Sequence, residues 1–358
     1  MQTTSPSVNA RSKRCLWPTL SANISLPNGN CTLPHIKPPM AVWDALLHLI
    51  SIAVILYVVS AHVYREWPIS RAAMNSTLPI ETFILDFDGT ITKTDTINAI
   101  LKSVLAVQDA RGKDMSRAWK EIVESYSKDY QAYIQSYRPT EEERTTAEEE
   151  IQFYRSVGAV EEKSFNRVSN SGVFSGIGEQ KLEELGSQAV RSGDVMVQEG
   201  FEEFLQSLNK SNMKWAVVSV NFSSAFIKGV LSSVRLGSNI TVLANQPDEH
   251  GVLKGPKGRV MTTSDAKLEA ALGLIGPRDA KATNKVVYIG DSGTDLKCLL
   301  ADGVIGLVIS EDGRSNLLKT MRRIKMNVLH VAEYDEKVSK AVYWARDYLE
   351  IIQSPLLS

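Results

Sequence analysis

Five short apolar runs constrain this chain more than any other feature. They are Thr82 to Leu85, Trp215 to Val218, Val286 to Ile289, Ile305 to Ile309 and Val328 to Val331, and long amphipathic stretches separate most of them. Runs of that length alternating with helical segments read as a parallel sheet with crossover helices. In such an open sheet, side chains just beyond the carboxyl ends of the strands converge on one crevice, and right-handed crossovers join the strands. Chemistry is expected at those strand ends. The first is unusual: "TFILDFDGTIT", residues 82 to 92, carries an apolar run straight into Asp86, adds a second acid at Asp88, and continues with Gly89 and Thr90.

Three further segments bring polar groups to the same crevice. "KWAVVSVNFSS" ends its run at Ser219, with Asn221, Ser223 and Ser224 behind it. "TTSDAKLEAAL" sets Lys267 in a first helical turn capped by Ser264 or Asp265. "VVYIGDSGTDL" delivers Asp291 and Asp295. A carboxylate is costly to bury alone, and acids from several strand ends repel one another. A divalent cation resolves the conflict; carboxylates with a few carbonyls and waters suit Mg²⁺, which shares its coordination with a substrate phosphate. The Ser219 hydroxyl and the Lys267 ammonium then serve phosphate oxygens, with Asn221 close behind. Gly89 lets the backbone turn sharply, so that N–H groups at Gly89 and Thr90 join the cradle. Plainer uses compete: Ser219 as a helix cap, Asp295 as a first-turn acid, and Cys298 as a packed thiol. Lys254 and Lys257 rival Lys267 but sit in a glycine-proline turn, where positioning is poor.

"DFDGT", the strand-end Ser219, Lys267 twenty-four residues before Asp291, and "GDSGTD" stand in the order and spacing of the four motifs of the haloacid dehalogenase-like (HAD) hydrolase superfamily. The resemblance covers about residues 80 to 335. It implies an aspartyl-phosphate mechanism with Asp86 as nucleophile and Asp88 as general acid and base. Ser219 and Lys267 are implied to hold the transferring phosphoryl group. Asp86, Asp291 and the Asp88 carbonyl are implied as Mg²⁺ ligands, with Asp295 as a ligand or a support. A second acid at position 88 resembles the phosphatases of the family rather than its dehalogenases, and a helical insert directly after the first motif resembles the phosphoserine-phosphatase-like branch. The stretches "NSGVFSGI", "ITVLANQPDEHGVLKGP" and "GDSGTDLKCLLAD" look like fungal and plant members, among them the thiamine-monophosphate phosphatase domain of a plant bifunctional enzyme. Asp95, nine residues beyond Asp86, matches the position where phosphoserine phosphatases face the substrate ammonium group; as a residue it serves equally as the cap of a helix starting near Thr96.

The expected architecture is an α/β Rossmann-like core over residues 80–97 and 196–358, with an inserted helical cap over 98–195. In that insert Ile122, Tyr126, Tyr130, Tyr133, Ile134 and Tyr137 recur at spacings of three and four and predict one packed helix face. Thr140 and Glu143 predict a capping box, and the glutamates of "EEERTTAEEE" a solvated face. "SNSGVFSGIG", residues 169 to 178, predicts a break in the helices.

Upstream, residues 1–40 hold six of the thirteen prolines amid Ser, Thr and Asn, a composition that predicts a disordered tail. Leu46 to Val63 carries no formal charge over eighteen residues, the lower limit for a helix crossing a hydrocarbon core about 30 Å thick. Within 41–66 this predicts a candidate single span, anchoring a cytosolic catalytic domain, since Arg65 and Arg71 follow it. A buried helix, an interfacial helix, and a chain started at Met74 are the competing readings. Forty basic and 41 acidic residues give no electrostatic footprint for nucleic acid. Cys15, Cys31 and Cys298 are too few and too far apart for a disulfide framework, and fit a reducing compartment. The function expected is Mg²⁺-dependent hydrolysis of a small phosphorylated metabolite. Phosphoryl transfer to another acceptor, and membrane-tethered binding without catalysis, are the alternatives.

Overall fold

The computed structural model describes residues 80–234, 240–275, 285–338 and 340–357. The predicted tail and the candidate span at 46–63 lie outside them. Among the described residues no helix is long and apolar enough to cross a membrane.

The chain opens with β1 (Ile80–Leu85) and then runs through five helices before returning to the sheet: α1 (Ile97–Asp109), α2 (Ser116–Ser136), α3 (Ala147–Ser171), α4 (Glu179–Arg191) and α5 (Phe201–Lys210). There follow β2 (Lys214–Val218), α6 (Ser224–Leu231), β3 (Thr241–Leu243), the short pair β4 (Gln246–Pro247) and β5 (Leu253–Lys254), and α7 (Ser264–Ile275). The last third comprises β6 (Lys285–Gly290), α8 (Leu296–Leu299), β7 (Val304–Ile309), α9 (Asn316–Arg323), β8 (Asn327–His330), β9 (Ala341–Ala345) and α10 (Tyr348–Gln353). Seven strands form one sheet in the order β3-β2-β1-β6-β7-β9-β8, and every pairing in it is parallel.

Burial on both faces explains why these strands are nearly continuous in apolar residues. Phe83, Leu85, Val217, Val287, Ile289 and Leu307 pack into one core layer, whereas Ile84, Val218, Val286, Tyr288 and Val308 pack into the layer on the other face. The alternation follows from the two-residue period of a strand. Strands β1 and β6 lie in the middle, register Leu85 against Ile289, and so bring their carboxyl ends side by side.

All five expected strands form. Two more strands of this sheet, and the separate pair β4 and β5, were not expected. Strand β3 is three residues long, and β9 inserts between β7 and β8, which pushes β8 to the sheet edge.

Within the insert, Ile122 and Tyr126 are buried and α2 lies along α3, but Ile134 stands 39% exposed, off the predicted face. Eight residues at 100° each leave it about 80° from Tyr126. Helix α3 starts six residues beyond the predicted box. Thr146 is its cap, accepting from the Glu149 N–H at 3.3 Å while Glu149 accepts from the Thr146 N–H at 2.9 Å. Glu143 accepts from the Thr140 N–H at 2.7 Å and closes one turn only. The predicted solvated face fails at Glu150, which is buried and paired with Arg144 Nε at 2.7 Å and Arg323 Nη2 at 2.6 Å. The break at 169–178 forms as expected, with Gly172 in the left-handed conformation ending α3. Helix α4, inside the span 98–195, packs backbone to backbone on α6: a Cβ on Gly229 would stand 1.9 Å from the Glu183 carbonyl oxygen.

Candidate active site

Asp86 is the first residue past β1, and its N–H donates to the Ile289 carbonyl at 2.8 Å, so the neighbouring strand β6 fixes where the carboxylate sits. The chain then turns sharply. Gly89 takes φ +73°, the Ile91 and Thr92 N–H groups both close on the Phe87 carbonyl, and Gly89 N–H donates to Thr92 Oγ1 at 3.3 Å. This turn folds Asp88 back over the crevice. Its Oδ1 accepts from the Thr96 N–H at 2.8 Å and the Thr96 hydroxyl at 2.7 Å, and its Oδ2 from Asn221 Nδ2 at 2.8 Å.

Lys267 is fully buried, 2.9 Å from Asp86 Oδ1 and 2.6 Å from Asp295 Oδ1. Its hydrogen bonds go to Asp295 Oδ1 and, at 3.4 Å, to Thr294 Oγ1, while Asp86 Oδ1 meets it as an ion pair without a well-directed hydrogen bond. Burial alone would push the lysine pKa down, but the Asp295 and Asp86 carboxylates outweigh it and hold the ammonium charged. Asp295 is saturated. Lys267 and the Tyr288 hydroxyl (2.7 Å) donate to Oδ1, while the Asp291 N–H (3.2 Å), the Ser292 N–H (3.0 Å) and the Ser292 hydroxyl (2.9 Å) donate to Oδ2. Five donors fill the roughly four lone-pair positions of a carboxylate. Asp291 is buried too, and Thr90 Oγ1 donates to its Oδ1 at 3.2 Å.

Asp86, Asp291 and Asp295 each offer an oxygen within 4.8 Å of the others, all buried. Burial first, and then the Asp295 charge, push the Asp86 carboxyl well above the usual carboxylate range, against the pull of Lys267. Burial likewise raises Asp88, although its bonds from Thr96 and Asn221 pull the other way. An oxygen-only donor set, with Asp86 Oδ1 held by an ion pair alone, fits Mg²⁺.

The structure brings together Asp86, Asp88, Ser219, Asp291 and Asp95 around one cavity, with Lys267 beneath it. Ser219 is fully buried, and it is Ser223, not Ser219, that caps α6 by accepting from the Phe226 N–H at 3.0 Å. Asn221 Nδ2 donates to Asp88 and the Thr90 hydroxyl donates to Asp291, which ties both residues into the site. Neither expected cap serves α7. Thr263 does so, its Oγ1 accepting from the Ala266 N–H at 3.2 Å, whereas Asp265 pairs with Arg155 and Lys297 and Ser264 Oγ is buried without a partner. Asp95 is exposed and lines the cavity; helix α1 is capped at Thr96, not at Asp95, whose carboxylate accepts from the Ile97 N–H at 2.7 Å in the turn just before it.

Three participants escaped the sequence reading. Tyr288 is an ordinary apolar-run residue until its hydroxyl is seen on Asp295. Asn245, fully buried, donates to the Val220, Asn221 and Met261 carbonyls at 3.0–3.1 Å and accepts from the Met261 N–H at 2.7 Å, stitching the Ser219 loop to the segment before Lys267. Glu161, on α3, faces the cavity from the insert. Only a helical period bringing it under Phe153, Tyr154 and Val157 could have hinted at it.

The profile of haloacid dehalogenase-like hydrolases matches residues 83–300. A CTO1 family protein of Schizosaccharomyces pombe is 25% identical over 274 residues, covering 73% of this chain and 92% of the relative. Cold tolerance protein 1 of Saccharomyces cerevisiae is 22% identical over 275 residues, covering 67% of this chain and 83% of its own. The fungal likeness expected from the sequence is thus found. The human 7-methylguanosine phosphate-specific 5'-nucleotidase is 27% identical over 123 residues, 34% of this chain and 40% of that one. Among solved structures, substrate-bound phosphoserine phosphatase superposes with a TM-score of 0.40 at 17% identity, covering 78% of this chain and 99% of its own. With a profile match over more than half its length and two acids at the end of its first strand, the chain belongs to the haloacid dehalogenase-like hydrolases and is one of the family's phosphatases.

Proposed function

We propose that the chain hydrolyses the phosphate monoester of a small metabolite with Mg²⁺, through an aspartyl-phosphate on Asp86. One observation carries this reading: a fully buried Lys267 lies 2.9 Å from Asp86 Oδ1, beside a second acid whose two oxygens are held in place by Thr96 and Asn221. The Asp86 carboxylate attacks phosphorus as the bond to the ester oxygen breaks, and Asp88 gives its proton to the departing alkoxide. Its raised pKa suits the acid role. Asp88 then takes a proton from water, which attacks phosphorus and releases inorganic phosphate from Asp86. Lys267 and the Ser219 hydroxyl offset charge on the phosphoryl oxygens. Asp86, Asp291 and the Asp88 carbonyl would hold Mg²⁺, which when bound neutralises phosphate and carboxylate charge together. Asp295, its lone pairs already taken, keeps Lys267 and the Asp291 turn in position.

In this reading α2 and α3 form a cap that closes over the crevice and selects the leaving group. Gly293 supports it, since a Cβ there would stand 2.3 Å from the Tyr154 hydroxyl oxygen: the cap helix rests directly on the motif loop. The test is inorganic phosphate release by the full chain, with Mg²⁺ or EDTA, from phosphoserine, thiamine monophosphate, 7-methylguanosine monophosphate and simple alkyl phosphates. Turnover that needs Mg²⁺ and falls at least about 10³-fold in Asp86→Asn is expected. Turnover unaffected by that substitution would sink the mechanism.

A further inference from the structure

Buried polar atoms without partners are few in a folded protein, and each calls for an explanation. Among the described residues six side-chain atoms are in that state, and three of them, at Asp86, Glu161 and Ser264, belong to residues lining the active-site cavity. Two of the three residues have other attachments. Asp86 Oδ1 meets Lys267 as an ion pair, and Glu161 accepts from the Tyr126 hydroxyl through its other oxygen. Ser264 has a single polar side-chain atom, is 1% exposed, and its hydroxyl bonds to nothing.

The local fold does not use that hydroxyl. Thr263 caps α7, its Oγ1 accepting from the Ala266 N–H at 3.2 Å and its carbonyl from the Lys267 N–H at 3.0 Å. The segment is held from two sides. Asn245 accepts from the Met261 N–H at 2.7 Å and donates to the Met261 carbonyl at 3.0 Å and to the Val220 and Asn221 carbonyls at 3.1 Å. On the cap side, a Cβ on Gly158 of α3 would stand 2.6 Å from Thr263 Cγ2. Ser264 is thereby kept in the same cavity wall as Ser219.

We infer that Ser264 is a further phosphate-binding residue, its hydroxyl donating to an oxygen of the phosphoryl group that Ser219 and Lys267 hold. The inference rests on the phosphatase reading for the identity of the ligand, and on α7 for the place. Residues three apart share a helix face, and Ser264 and Lys267 are both buried on that face of α7. Helical side chains lean toward the N-terminus, so the Lys267 stem runs back over the turn that carries Ser264. Its ammonium ends 2.9 Å from Asp86 Oδ1, on the carboxylate that attacks phosphorus in that reading. Ser264 also opens a twelve-residue helix, whose first N–H groups lack intrahelical acceptors and whose dipole favours an anion. In the same turn Asp265 is already paired with Arg155 and Lys297. Asp86, Asp88 and Asp291 face the cavity too, so the anion is expected to bind only with Mg²⁺ present.

The test uses inorganic phosphate, which has no leaving group, on the full chain with Mg²⁺, by calorimetry, together with thermal unfolding in the absence of phosphate. Ser264→Ala is expected to bind phosphate at least about 10-fold more weakly than the native chain, since it loses a hydrogen bond to a charged acceptor. Without phosphate the same variant is expected to unfold at the native temperature or above it, because it removes a buried hydroxyl that has no partner. A serine that only supported the fold would not give that combination. Ser264→Thr, which keeps the hydroxyl, is expected to stay within about 3-fold of the native affinity. Unchanged phosphate affinity in Ser264→Ala, or a lowered unfolding temperature without phosphate, overturns the inference and leaves the phosphatase reading standing. A native chain that binds no phosphate removes both. Phosphate bound through Ser264 with no ester hydrolysed keeps the inference and removes the hydrolysis.

Discussion

At the scale of single residues, the site depends on what each carboxylate is bonded to. Asp295 and Asp86 share one lysine, yet Asp295 takes four further donors and Asp86 Oδ1 takes none. In the proposed mechanism the first is a support and the second is the nucleophile. Glu161 represents a third state, a carboxyl kept neutral by burial. Its folded pKa is raised to about 8, so between the unfolded carboxylate range and that value the folded chain binds the extra proton. Stability is therefore expected to fall as pH rises from about 5 to about 8 and to level off above, with Glu161→Gln flattening the slope. Thermal unfolding at pH 5, 6, 7 and 8 checks this, and parallel curves for the two proteins would refute it.

Among the elements, α3 is tied to two core helices by ion pairs of different burial. Its first turn is tied to α9 by Glu150, which sits between Arg144 and Arg323, while Arg323 also donates to the Arg144 carbonyl at 3.0 Å. One turn on, Arg155 reaches Asp265 of α7 at 3.1 Å. The two contacts should differ in strength. Glu150→Ala leaves buried Arg144 uncompensated and is expected to cost about 3–5 kcal/mol. Arg155→Ala removes a pair whose arginine is 49% exposed, and is expected to cost under about 1 kcal/mol. Urea unfolding of both variants decides whether burial separates them; equal losses would mean that the Arg323 tie is not what holds the element.

For the molecule as a whole, the acidic crevice is where a bound cation would be linked to folding. Three buried carboxylates within 4.8 Å repel one another in the folded state, so a cation that binds only that state stabilises it. Mg²⁺ at about 100 times its Kd is expected to add about 2.7 kcal/mol, seen as a rise in Tm that Asp291→Asn largely abolishes. A Tm indifferent to Mg²⁺ would argue against a cation at this site. Lys267 offsets part of that repulsion at the centre of the seven-stranded sheet: β1 and β6 lie side by side, and the acids beyond their ends, Asp86 and Asp295, both pair with it.

By itself the sequence determined the sheet class, five of its seven strands, the helical insert after the first strand, and the set of Asp86, Asp88, Ser219, Lys267 and Asp291. Those were legible because strand period, strand-end position and chemical type are local properties. The tertiary structure alone decided the division of labour among them. Asn221 Nδ2 and the Thr90 hydroxyl bond to Asp88 and Asp291, contacts between residues far apart along the chain that no local pattern announces. Glu150, expected in solvent, is buried because Arg144 and Arg323 arrive from distant parts of the chain. Strand β9 was missed because its place between β7 and β8 comes from pairing, and pairing partners lie far apart along the chain. Tyr288, Asn245 and Glu161 were missed for the same reason: each has an ordinary sequence context, and each acquires a role only from the groups that folding places within hydrogen-bonding distance.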